Sequence, residues 1–83
     1  MSDNKSVHLR YFAALRERSG KDEEELNTAA ETVGDLYVDL SAIYSFALPI
    51  QIVRASINGN FVPMSQVICD GDEVVFIPPV SGG

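Results

Sequence analysis

Asp70-Gly71-Asp72-Glu73-Val74-Val75-Phe76-Ile77-Pro78-Pro79 is the stretch whose reading decides the fold. Asp-Gly-Asp predicts a turn, because these side chains bond the local backbone and glycine accepts positive φ. Val74 to Ile77 is an unbroken apolar run of β-formers. It predicts a last strand buried on both faces, in the middle of a sheet. Pro78 and Pro79 end that strand and hold the following backbone extended.

Working outward, Val7, Leu9 and Tyr11 alternate with Ser6, His8 and Arg10, the period of a first strand with one buried face. A central last strand beside it would run parallel to it. Phe12 to Ser19 reads as a short helix closed by Gly20, with Phe12 and Leu15 pinning it to the sheet. Lys21 to Glu25 reads as a charged, solvated stretch. Leu26 to Ala30 follows as a short second strand. The Glu23-Glu24-Glu25 run cannot converge on a metal, since neighbours on a strand point to alternate sides. Thr32 caps a second helix to about Ser45, with Val33, Leu36, Tyr37, Leu40, Ile43 and Tyr44 as its apolar stripe. Gly34 is a weakness in its first turn. Phe46 to Gln51 reads as a connecting loop broken by Pro49. Val53, Ala55 and Ile57 form a third strand, Asn58-Gly59 a hairpin turn, and Asn60 to Val62 a short return strand cut by Pro63. The order predicts an α+β fold, a mixed sheet with helices packed on one face.

Eighty-three residues make one domain, 1–83, without room for a second. The 46% apolar content is that of a globular chain and argues against disorder. Twelve acidic residues against six basic ones give a net charge of −6, which disfavours a nucleic-acid partner and favours docking on a basic surface. One cysteine, Cys69, excludes an internal disulfide and any cysteine cluster for a metal. Met1 to Lys5 lacks a signal-peptide pattern, and no run reaches membrane-spanning length. The expectation is a soluble cytoplasmic protein with no membrane partner.

Familiar catalytic layouts are scarce. His8 is the one histidine, on the polar side of a strand, and a dyad with Cys69 is conceivable but has no supporting pattern. No glycine-rich loop joins a strand to a helix. By elimination the reactive group is the α-carboxylate of Gly83, at the end of Pro78-Pro79-Val80-Ser81-Gly82-Gly83. These six residues, extended, reach roughly 20 Å. The prolines stiffen the base and the glycines leave a tip no wider than backbone. Such a tail can enter a partner's narrow channel and present an acyl group that an activating nucleotide makes reactive. The alternative for a Gly-Gly end is a frayed terminus.

Tyr11-Phe12-Ala13-Ala14-Leu15-Arg16-Glu17 with Gly20, Thr32-Val33-Gly34-Asp35-Leu36, and Asp70-Gly71-Asp72-Glu73-Val74 with Phe76 to Gly83 together resemble molybdopterin synthase small subunits. These are sulfur carriers of the ubiquitin-like MoaD/ThiS family. The terminal block is the most specific part; the Tyr44 to Gln51 stretch departs from any family pattern. The resemblance implies a ubiquitin-like β-grasp fold with 78–83 as an extended tail. It implies that an ATP-dependent, E1-like activating enzyme adenylates Gly83 and that a sulfur donor converts it to a thiocarboxylate. The large synthase subunit, in a heterotetramer, then passes the sulfur to a cyclic pyranopterin precursor. It implies no bound cofactor or metal, and no catalysis by the chain by itself. Carried over residue by residue, Gly82 is the neck of the tail, and Val80 and Ser81 line the channel behind Pro78 and Pro79. Phe61 and Ile77 form an apolar partner-facing patch with Arg16 nearby. Ordinary core is the alternative for Phe61 and Ile77. A thiazole-pathway sulfur carrier and a ubiquitin-like protein modifier are the competing functions.

Overall fold

The run Glu73–Ile77 becomes the central strand of a five-stranded sheet. The computed structural model describes residues 4–79; Val80, Ser81, Gly82 and Gly83, on which the channel and thiocarboxylate readings fall, lie outside them. In chain order the elements are β1 (Lys5–Tyr11), α1 (Ala13–Ser19), β2 (Glu23–Thr28), α2 (Val33–Tyr44), a 3₁₀ turn (Ile50–Ile52), β3 (Arg54–Ile57), β4 (Asn60–Val62) and β5 (Glu73–Ile77). The strands lie in the order β2-β1-β5-β3-β4. β5 is parallel to β1, with Leu9 opposite Val74 and Tyr11 opposite Phe76. The other pairs are antiparallel.

The period of two sends Val7, Leu9, Tyr11, Val74, Phe76, Ala55 and Ile57 to one side, where all are buried. Leu15 of α1 and Val33, Leu36, Tyr37 and Leu40 of α2 cover that side. Tyr37 packs against Phe76 with ring centroids 5.3 Å apart. Each such large apolar side chain contributes about 1.5–3 kcal/mol relative to exposure. Both helices therefore lie on one face, as expected.

The β5 run is not buried on both faces, however. Val74 and Phe76 are inaccessible, whereas Val75 and Ile77 are only half-buried, because nothing among the described residues covers the second face. The second strand begins at Glu23 rather than Leu26. Pairing with β1 recruits the three glutamates into the ladder, with Glu24 opposite Leu9 and Glu25 opposite His8. Ile43, expected in the α2 stripe, is 61% exposed. The buried stripe ends at Leu40, and Phe46 beyond the helix takes the place expected for Ile43 in the core.

The turn at Asn58-Gly59 has φ +53 and +89, as a two-residue hairpin demands. Asn58 also ties the hairpin to β5: its Oδ1 accepts from the Glu73 N–H at 3.0 Å and its Nδ2 donates to Asp72 Oδ1 at 3.0 Å. Gly34, a weakness by helix propensity, has a packing reason. Its N–H donates to the Met64 carbonyl at 2.8 Å, and a Cβ there would sit 3.1 Å from that oxygen. The Val33 N–H donates to the Gln66 carbonyl and the Asp35 N–H to Thr32 Oγ1. Three N-terminal donors of α2 are satisfied this way.

Candidate functional site

The uncovered face of the sheet carries the side chains of even-numbered β1 residues and odd-numbered β5 residues. In register across it run Arg10, Val75, Ser56 and Phe61, and one step on, Ile77 faces Arg54. Phe61 is 67% exposed, which removes the core alternative for this residue. Ile77 is half-buried, its outer surface shared with the groove described next. Phe61 is thus a solvent-facing aromatic on β4.

Where β5 ends, Ile77, Pro78 and Pro79 form one wall of an apolar groove, and Phe12, Ala13 and Leu48 form the other. Phe12, expected to pin α1 to the sheet, is instead 44% exposed at the groove rim, and Leu15 does the pinning. The sequence signal for Phe12 lay in its position, one residue beyond an alternating strand and on that strand's polar phase. Ala13 adopts φ +51, a conformation costly for a residue with a Cβ, at the point where the chain turns from β1 into α1. Arg16 follows one helical turn after Phe12. It is well exposed and stands 3.6 Å from Asp22. Phe12, Arg16, Arg10 and Asp22 line a second concavity that adjoins the first through Phe12. The structure thus gathers Ile77, Pro78, Pro79 and Arg16 around Phe12. Phe61 shares the open face but lies two strands away from β5, on β4.

Behind this surface a half-buried polar cluster joins β1, β2 and α2. Glu24 points to the core side, and its Oε2 accepts from Tyr11 Oη at 2.6 Å and Tyr44 Oη at 2.7 Å. Burial opposes ionisation of Glu24, but the two tyrosine hydroxyls and the nearby Lys21 ammonium outweigh it, holding its carboxyl below the ordinary value. Burial and the adjacent carboxylate push both phenols up. Phe46 fits between the Tyr11, Tyr37 and Tyr44 rings, and Tyr37 Oη donates to the Leu48 carbonyl at 2.7 Å. Leu48 is thereby fixed at the groove.

The remaining candidates separate. His8 Nδ1 and Nε2 face Glu25 and Glu23, and neither ring nitrogen is bonded to Cys69. Cys69 is exposed, with its N–H donating to Asp72 Oδ2. Among the described residues no group of three or more His, Cys, Asp or Glu is arranged to hold a metal. No described helix is long and apolar enough to cross a membrane.

Residues 9–83 match the family model described as the ThiS family. The molybdopterin synthase sulfur carrier subunit of Mycobacterium tuberculosis is 37% identical over 81 residues, an alignment covering 93% of this chain and 96% of that one. The protein of the same name from Escherichia coli is 34% identical over 80 residues, covering 93% and 99%. Among solved structures, small archaeal modifier protein 1 from Methanosarcina acetivorans superposes with a TM-score of 0.76 at 30% identity, covering 96% of this chain and 98% of that one. With its five-stranded mixed sheet, two helices on one face and a central last strand, the chain belongs to the ThiS family and has the ubiquitin-like β-grasp fold.

Proposed function

We propose that this chain is the sulfur-carrying small subunit of a molybdopterin synthase, with Gly83 as its reacting terminus. The observation that carries the reading is the likeness to two sulfur carrier subunits over 93% of the chain. The fold supports it. β5 lies at the centre of the sheet and runs directly into Pro78 and Pro79.

An ATP-dependent, E1-like enzyme joins the Gly83 carboxylate to AMP with loss of pyrophosphate. A sulfur nucleophile then displaces AMP, leaving a thiocarboxylate. Glycine has no β-carbon to crowd that attack. The large subunit receives Val80, Ser81, Gly82 and Gly83 in a channel, and the sulfur passes to a cyclic pyranopterin precursor. Phe12, Ile77 and Phe61 supply the apolar contact and Arg16 a charged one. Two copies of this chain on a dimer of large subunits make the heterotetramer. The chain holds no cofactor of its own; ATP belongs to the activating enzyme. The site of action is the cytoplasm.

The test is intact mass spectrometry after incubation with ATP, activating enzyme and a sulfide source. The expected product has gained the mass difference between sulfur and oxygen and forms molybdopterin when mixed with large subunit and precursor. An unchanged mass, under conditions that convert a known carrier, overturns the reading. The likeness to a small archaeal modifier protein favours one second reading, a protein modifier that joins lysines through the same activated glycine. Lysine-linked conjugates in cell extract would select it.

A further inference from the structure

His8 stands on the open face, midway along β1. Its Nδ1 lies 2.8 Å from Glu25 Oε1 and its Nε2 2.6 Å from Glu23 Oε1. Both acceptors are carboxylates on β2, a sheet edge. A neutral imidazole carries one N–H and can donate to one of them; only the imidazolium donates to both. We propose that His8 is a proton-operated clamp on the β2 edge, closed as the imidazolium that bridges Glu23 and Glu25 and released as the neutral ring.

The surroundings favour the closed clamp. Glu73 on β5 is opposite His8 in the parallel ladder. Arg10, two residues along β1, is opposite Glu23. Asp70 and Asp72, in the turn beside β1, are occupied: Asp70 accepts from the Ser6 N–H, and Asp72 from the Cys69 N–H and Asn58. The hydrogen bonds to Glu25 and Glu23 raise the His8 pKa above 6.5, against a smaller opposing effect of burial. Its contribution is therefore complete below the unfolded-state value and is lost as pH rises through the raised folded value. Release is partial, because Glu24, between the two clamped residues, stays bonded on the core side to Tyr11 and Tyr44.

A single histidine makes the test clean. NMR titration of the full chain should place the His8 midpoint above 6.5, and Glu23→Gln with Glu25→Gln should bring it down. Amide-exchange protection in β2, corrected for the intrinsic base-catalysed rate, should fall roughly two- to fivefold through that midpoint. In His8→Gln the protection should be low and flat across the same range. A midpoint at or below 6.5, or β2 protection that does not change through the titration, overturns the proposal.

Discussion

Gly34 shows how one residue can contradict its own propensity. A glycine in the first turn of α2 costs up to about 1 kcal/mol against alanine. An alanine methyl at Gly34 would lie only 3.1 Å from the Met64 carbonyl oxygen, which accepts the Gly34 N–H. Gly34→Ala is expected to destabilise by about 1 kcal/mol net, the overpacking strain exceeding the propensity gain. A urea midpoint that rises in the variant would contradict this. Glu24 is the second case. Its carboxyl is held below 4.5, so the stabilisation it contributes is complete above that value and is lost as pH falls through the lower folded value. Glu24→Gln should flatten the acid limb of stability against pH, measured by thermal melts between pH 3 and 6. Tyr44→Phe removes one of the two hydroxyl bonds to the same oxygen and should cost about 1 kcal/mol in urea unfolding. The glutamate run was legible as alternating. Its division between His8 on one side and two tyrosines on the other was not, since those partners lie 13 to 20 residues away.

At the scale of elements, α2 was readable at its start and not at its end. Thr32 caps the N-terminus through Asp35, a local bond between residues three apart. The other end closes on Ser45 at φ +58, a left-handed conformation that serine adopts at a cost. Ser45→Gly should stabilise by about 0.5–1 kcal/mol, seen as a higher urea midpoint with an unchanged slope. The helical period marked Ile43 for the core, but Ile43 is exposed and Phe46, from the loop beyond the helix, joins the core instead. β5 was legible as a strand, as central, and as parallel to β1. Its second face was not, because an uninterrupted apolar run describes both a strand covered on two sides and one that keeps Val75 and Ile77 half-open.

For the whole molecule, the division is between a covered face that holds the fold together and an open one that the proposed function uses. Phe61 and the groove at Phe12 and Ile77 contribute little to the core, so docking and stability separate there. Phe61→Asp should leave the melting temperature nearly unchanged, as surface substitutions shift stability by about 0.5 kcal/mol or less. The same variant should weaken binding to a synthase large subunit by about tenfold or more, read by titration calorimetry. Equal affinity would remove Phe61 from the docking surface.

The alternation of β1 and β3, the turns at Asn58-Gly59 and Asp70-Gly71-Asp72, both helix starts and the stop at Pro78 were set by the sequence itself, because each depends on the spacing or backbone freedom of adjacent residues. Tertiary structure decided which apolar side chains stay uncovered, why Gly34 has no side chain, and which carboxylates meet His8 and the tyrosines. Those outcomes depend on register between strands and on close approach of distant segments, and neither quantity is written in any local window of the chain.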